Sequence, residues 1–245
     1  MNDKKWVWRR RLGHANWRLI SKLSKLQLVR GLPNIDYHSD ALCGACQKGK
    51  IMKSSFKTKD IVSISRPLEL LHIDLFGPIN TASLYGSKYG LVIVDDHNRW
   101  TWVKFLRSKD SAYDVFNSFC TQIQSEKEMK ILKVRSDHGG EFENEPFEAF
   151  CEKHGIVHEF SSLRTPQQNG VVERKNKTLQ EIARTMILEN NLAKHFWAEA
   201  VNTTCYDQNR IYIRPILEKI TCYFHQFGCT CYILNNKVYL KIRSE

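Results

Sequence analysis

Residues 67–78 read PLELLHIDLFGP. The apolar run Leu70–Phe76 has the composition of a strand, and Asp74 stands at its end, where a side chain can point out of a sheet. Outward from it the pattern repeats. Tyr89–Asp95 is a second apolar run ending in acid, and Thr101–Leu106 is a third. Asp110–Ser125 is amphipathic, with Val115, Phe116, Phe119 and Ile123 on one side, which predicts a helix. Ile131–Arg135 reads as a short strand running into the turn Ser136-Asp137-His138-Gly139-Gly140. Pro146 opens a helix through His154, Ile156–Phe160 returns as a strand, and helices follow over Asn169–Asn190 and from Lys194 to about Tyr212. Three strands in succession, then helices alternating with short strands, predict a mixed α/β layer architecture.

Three acids stand out in this frame. Asp74 and Asp137 each occupy a strand end, and Glu173 lies in the first turn of the long helix, with 35 residues between it and Asp137. A lone strand-end aspartate is usually a turn former. Three acids in these contexts suit a different task, because clustered carboxylates can hold two divalent ions about 3.5–4 Å apart that activate an attacking oxygen and stabilise a leaving one. The two glycines after Asp137 leave room for a metal or a phosphate to approach. Asp95-Asp96, with His97 and Asn98, reads instead as the turn between two strands and stays outside the site.

Charge is distributed unevenly. Residues 1–66 carry 15 Lys/Arg against 4 Asp/Glu, whereas residues 67–245 carry 22 of each, so the whole excess of +11 lies in the N-terminal quarter. A basic arm beside a neutral, acid-bearing domain fits a polyanion-binding module next to a phosphodiester site; the plain alternative is a solubilising tail. With 42% apolar and 26% charged residues the chain is not a disordered one. No apolar run approaches the roughly 20 residues of a membrane helix, and Met1–Arg11 lacks the apolar core of a signal peptide, so an intracellular, soluble protein without membrane partners is expected. On that expectation the eight cysteines are thiols or metal ligands rather than a disulfide framework. Only Cys43-Gly44-Ala45-Cys46 has ligand-like spacing, in a turn; Cys229-Thr230-Cys231 alternates as on a strand. Ahead of it, Asn16–Leu28 repeats Ile20, Leu23 and Leu26 at helical intervals until Gly31 and Pro33, and the Lys/Ser-rich stretch Lys48–Arg66 reads as a linker.

The segments RPLELLHIDLFGPI, YGLVIVDDHNRWTWVKFL, RSDHGGEFEN, FSSLRTPQQNGVVERKNKTLQEIARTM and FWAEAVNTTCYDQNR resemble successive blocks of the integrase of copia-type LTR retrotransposons, over roughly residues 6–240. The resemblance implies an RNase H-like fold, a five-stranded mixed sheet flanked by helices, with Asp74, Asp137 and Glu173 as catalytic ligands of Mg²⁺ or Mn²⁺. It implies 3′-end processing of element DNA and its strand transfer into chromosomal DNA, a multimer bridging two DNA ends, and action in the nucleus. On the helix of Glu173, Lys177, Gln180 and Arg184 follow at i+4, i+7 and i+11 and are assigned to donor DNA, with Val172, Leu179, Ile182, Ala183 and Met186 facing the core. A solvated charged face is the alternative. Thr165–Gly170 is compatible with approach to DNA ends or with an ordinary helix lead-in.

The N-terminal part resembles the gag-pre-integrase zinc module, whose ligands are two histidines and two cysteines. His14, Cys43 and Cys46 match three of them, and Arg9 stands where the first histidine belongs. That leaves the Zn²⁺ site one tetrahedral corner short. His38 is a conceivable substitute outside the family pattern, and the cysteines alone also read as buried thiols. The organisation expected is a zinc-module-like segment over 1–60, a linker over 61–66, the RNase H-like catalytic core over 67–213 and a shortened C-terminal extension over 214–245, as in an isolated or degenerate integrase fragment. A catalytically silent nucleic-acid-binding relic and a nuclease that cuts without joining are the competing functions.

Overall fold

The computed structural model describes residues 4–34, 43–49, 64–161, 169–211, 224, 227–228, 232–235 and 238–241. The chain forms two compact units, one of residues 51–180 with 214–217 and one of 1–50, 181–213 and 218–245.

The first unit is built on a five-stranded sheet. Its strands are β1 (Leu70–Phe76), β2 (Tyr89–Asp95), β3 (Thr101–Leu106), β4 (Lys133–Ser136) and β5 (Val157–Phe160), in the order β3-β2-β1-β4-β5. β1, β2 and β3 pair antiparallel, because short connections can only fold a strand back on its neighbour. At the first of these, Gly77 has φ 126°, and a Cβ there would stand 2.6 Å from the Lys88 carbonyl, so the turn out of β1 requires glycine. β4 and β5 run parallel to β1 and so need crossovers. Those crossovers carry the helices: Ala112–Lys127 precedes β4 and Glu145–His154 precedes β5. The sheet is thus mixed, five-stranded and flanked by helices, the architecture expected from the sequence.

Residues Leu71 and Ile73 of β1 face a core with Phe116, Phe119 and Ile123 of the first helix and Phe147 and Phe150 of the second. Phe116 stacks on Phe147 at 5.4 Å, and Trp102 of β3 meets Phe119 edge-on at 5.2 Å. The second helix is locally well specified. Asn144 caps it by accepting from the Phe147 N–H at 3.0 Å, proline sits in its first turn, and Gly155 in the left-handed region ends it.

One surface pair has a pH signature. Arg135 of β4 lies opposite Glu159 of β5, donating from Nε at 3.2 Å, and Lys133 Nζ reaches the same carboxylate at 3.2 Å. Burial works against the ionised form, but these cations hold Glu159 below its ordinary 4.5. A depressed carboxyl pKa adds stability above the unfolded value and loses it as pH falls through the folded one. Arg135→Gln should therefore flatten the loss of stability below about pH 4.5 while changing little at pH 8 beyond a constant offset. Urea titrations across that range check it, and parallel curves for the two proteins would refute it.

In the second unit the helices are Lys4–Arg11, Trp17–Lys25, Gly44–Gly49, the end of Gly170–Glu189, and Trp197–Ile211 after a 3-10 turn; the strands Tyr232–Asn235 and Val238–Lys241 pair antiparallel. The second of these helices is capped by Asn16, which accepts from Leu19 N–H at 2.8 Å. Trp8, Leu12, Ile20, Leu23 and Ile211 form the core. One helix has no forewarning in the sequence, and two local expectations are corrected. Lys4–Arg11 is a helix although its cationic sequence shows no apolar stripe, and the buried Trp8 with the edge-on pair Trp6–Trp17 at 5.2 Å supplies the packing. The Cys43–Cys46 turn is the opening of a short helix. The strand expected from Ile131 begins at Lys133, where pairing with β1 starts. His38, Cys229–Cys231, the turn at 165–168 and most of the Lys48–Arg66 link lie outside the described residues. Among the described residues no helix is long and apolar enough to cross a membrane.

Candidate active site

The two aspartates meet because β1 and β4 are parallel neighbours. Leu70 pairs with Lys133 and His72 with Arg135. Carried two residues on, that offset sets Asp137 level with Asp74, and strand alternation turns both to one face, across a strand spacing of about 4.8 Å. Asp74 lies within β1, opposite Val92 of β2, rather than at its end. Asp137 is the first residue past β4. The turn folds around it: its Oδ1 accepts from the Gly139 N–H at 3.3 Å, and its carbonyl accepts from the Ser136 hydroxyl at 2.8 Å.

Glu173 arrives on the helix Gly170–Glu189, in its first turn. Just before that helix the buried Asn169 donates to the Ile73 carbonyl at 3.4 Å, and the Asn169 carbonyl accepts from the Glu173 N–H at 3.2 Å. The start of the helix is thereby fastened to the strand of Asp74. Farther along the same face, Asn176 Nδ2 donates to Asp74 Oδ2 at 2.7 Å and Gln180 Nε2 donates to Asn176 Oδ1 at 2.6 Å. An ionised carboxylate only accepts, so Asn176 must present its NH₂ to Asp74 and its oxygen to Gln180.

The three acids feel one another. Burial pushes the Asp74 carboxyl above its ordinary range, the Asn176 bond pulls it down, and the charges of Asp137 and Glu141 push it up again. Glu173 is raised by burial and then by Asp74 and Asp137, against Arg174. Like charges converging in a half-buried site oppose one another's ionisation, a penalty that a bound divalent ion would offset. Oxygen-only donors suit Mg²⁺ or Mn²⁺.

Asn176 and Glu141 are site residues that the sequence reading missed. The available signal for Asn176 was its spacing, three residues beyond Glu173 and therefore on the same helix face. Removing an outer hydrogen bond to a metal ligand typically costs about 10–100-fold in metal affinity. Asn176→Ala should weaken Mg²⁺ or Mn²⁺ binding by that factor in a calorimetric titration; unchanged affinity would show that Asp74 needs no such support.

The remaining assigned residues are placed as follows. Gln180 is committed to Asn176, Lys177 is half-buried on the same helix, and Arg184 is exposed and donates to the Gly49 carbonyl at 3.4 Å. Val172, Leu179, Ala183 and Met186 are buried, and Ile182 is half-buried. Asp95 is the last residue of β2 rather than part of the turn and accepts from the N–H groups of Leu68 and His97, whereas Asp96 lies in the turn and pairs with Arg99 at 2.8 Å.

In the other unit His14, Cys43 and Cys46 bring their ligand atoms within 4.8 Å of one another, and all three are buried. His14 Nδ1 stands 3.6 Å from Cys43 Sγ, and Nε2 stands 2.7 Å from Glu189. Burial opposes a charged imidazole, but its bonds to Cys46 and Glu189 prevail and push its pKa up to about 10.

Residues 64–166 match the integrase core domain family, and residues 1–51 match the GAG-pre-integrase domain family. The chain is 37% identical over 204 residues to the retrovirus-related Pol polyprotein from transposon TNT 1-94 of Nicotiana tabacum, a match covering 83% of this chain. It is 30% identical over 239 residues to the retrovirus-related Pol polyprotein from transposon RE2 of Arabidopsis thaliana, covering 92% of this chain. It spans only 15% and 16% of the lengths of these curated relatives. Among solved structures, the HTLV-2 integrase catalytic core domain, in complex with magnesium in a trimeric form, aligns with a TM-score of 0.46 and 20% identity over 63% of this chain and 93% of that one.

Proposed function

We propose, from the premise that this chain belongs with the integrase portion of copia-type retrotransposon Pol polyproteins, that it carries out divalent-metal-dependent 3′-end processing and DNA strand transfer. The observation that supports this reading is the placing of Asp74 and Asp137 level on adjacent parallel strands, with Glu173 within electrostatic reach of both. Asp74, Asp137 and Glu173 would hold Mg²⁺ or Mn²⁺. Bound there, the metal supplies activation of an attacking oxygen and charge stabilisation of a departing one.

The chain's own contributions are positional. Asn176 fixes which oxygen of Asp74 stays free, since Oδ2 is already taken. The Gly139 N–H restrains Asp137, and the Asn169 bond to β1 sets the height of Glu173. Groups held in this way spend little reorganisation during the reaction. Lys177 and Arg184 extend from Glu173 along the helix as cationic contacts for the phosphates of element DNA. The excess charge of residues 1–66 adds non-specific affinity that falls with salt. A multimer is the working form because two element ends must be joined to one target, and the chromosomal target puts the reaction in the nucleus.

The test is joining of oligonucleotides that mimic element ends to a target duplex. Joined products should appear with Mg²⁺ or Mn²⁺ and vanish with chelator. Cut ends without joined products would reassign the site to a nuclease. Salt-sensitive binding with neither product would leave a nucleic-acid-binding relic, the reading that Arg9 in place of a histidine favours.

A further inference from the structure

The residue at the missing zinc corner has a definite location. Arg9 is buried, and its Nη2 donates to Cys46 Sγ at 3.7 Å. The guanidinium lies beside a pair of indoles, 4.8 Å from the Trp17 ring and 5.4 Å from the Trp6 ring. Zinc lies about 2.3 Å from sulfur and about 2.0–2.1 Å from nitrogen, so tetrahedral ligands stand roughly 3.5 Å from one another. The Cys43 Sγ to His14 Nδ1 separation of 3.6 Å has that ligand-to-ligand length, and so does the Arg9 to Cys46 separation. Arg9 thus stands against one of the three remaining donors with a group that cannot ligate, because guanidinium has donors and no lone pair to offer.

We infer that Arg9 takes over the structural work of the zinc ion, so that this N-terminal unit folds and persists without metal. The three remaining donors do not suit Zn²⁺ while Arg9 is present. A dication among them would stand a few ångströms from a fixed positive charge inside a buried pocket, one of whose N–H groups already engages Cys46. What zinc does in a four-ligand module is tie three chain segments to one centre. Here the segments are tied by other means. Arg9 links the first helix to Cys46, and its stacking on Trp17 links it to the second. His14 links Cys43 to Glu189 through its two ring nitrogens. Glu189 also takes Arg10 at 2.9 Å, which fastens the first helix a second time.

The experiment is metal analysis and thermal unfolding of the whole chain, with Arg9→Met and Arg9→His beside it. After equilibration with zinc and dialysis, the Cys/His site is read by cobalt(II) substitution, whose sulfur-to-metal absorption is insensitive to metal on carboxylates. The wild type should show no such band and no change of Tm with chelator. Arg9→Met should lower Tm by roughly 4 °C or more, as expected for the loss of a buried hydrogen-bonded cation in a chain of this size. Arg9→His should bind about one metal per chain and become chelator-sensitive. A wild type with the band and a chelator-sensitive Tm overturns the inference. So does an Arg9→Met protein of unchanged Tm. Should Arg9→His fail to fold, the other two proteins decide, and neither readout depends on DNA joining.

Discussion

Asp137→Asn should abolish the proposed joining while leaving the fold and DNA binding in place. The substitution keeps the side-chain shape and an oxygen that can accept from Gly139, but it removes one of two charges set level on adjacent strands. A carboxamide oxygen is a poor ligand for a hard divalent ion, and the several kcal/mol of charge stabilisation that the metal contributes disappears with it, a loss on the order of 10³-fold or more. Single-turnover joining with purified variant and wild type, at equal DNA occupancy, measures it. The shared site also makes a secondary prediction: with one negative charge gone, the Glu173 carboxyl should move down toward its ordinary value, because Asp137 is among the groups that raise it. Equal joining by the two proteins would falsify the assignment of the triad.

The largest expected effect on stability is at Phe116. Its ring is fully buried, stacked on Phe147 at 5.4 Å and flanked by Phe119 and Phe150 at 6.3 and 6.1 Å. Phe116→Ala removes this ring from the middle of an aromatic layer, and its rigid neighbours cannot collapse into the space. Burial loss and cavity together cost about 3–5 kcal/mol in such cases. Denaturant unfolding should show that drop with an unchanged slope. A loss below about 1 kcal/mol would mean that the layer relaxes around the gap.

The core strands and the helix of Glu173 were legible in the sequence because their apolar residues keep one period along each element. Phe116, Phe119 and Ile123 recur at helical spacing, and all are buried in the same cluster. The helix Lys4–Arg11 was not legible, since its stability comes from indole packing against other segments and not from a stripe of its own. The acids could be picked out one by one from their contexts, but their juxtaposition depends on strand register, a long-range property that local sequence does not encode. Asn176 illustrates the same limit. Only its spacing from Glu173 sets it apart from a solvent-facing amide, and its role exists only once β1 has delivered Asp74 to it. Arg9 was visible as a departure from a pattern, whereas its place beside Trp6 and Trp17 follows from tertiary packing.

The parallel register of β1 and β4 also decides where this chain can change length. Between β3 and β4 lie a helix and its flanking turns, and residues added there lengthen a surface excursion without shifting any strand pair. Within Lys133–Asp137 the tolerance is nil. One residue gained or lost there rotates Asp137 to the opposite face of the sheet, among Phe147 and Phe150, and strands Asp74 alone. The proposed reaction centre is thus defined by five consecutive residues aligned against seven, and length variants can be sorted into tolerated and lethal by asking only whether they fall inside that short ruler.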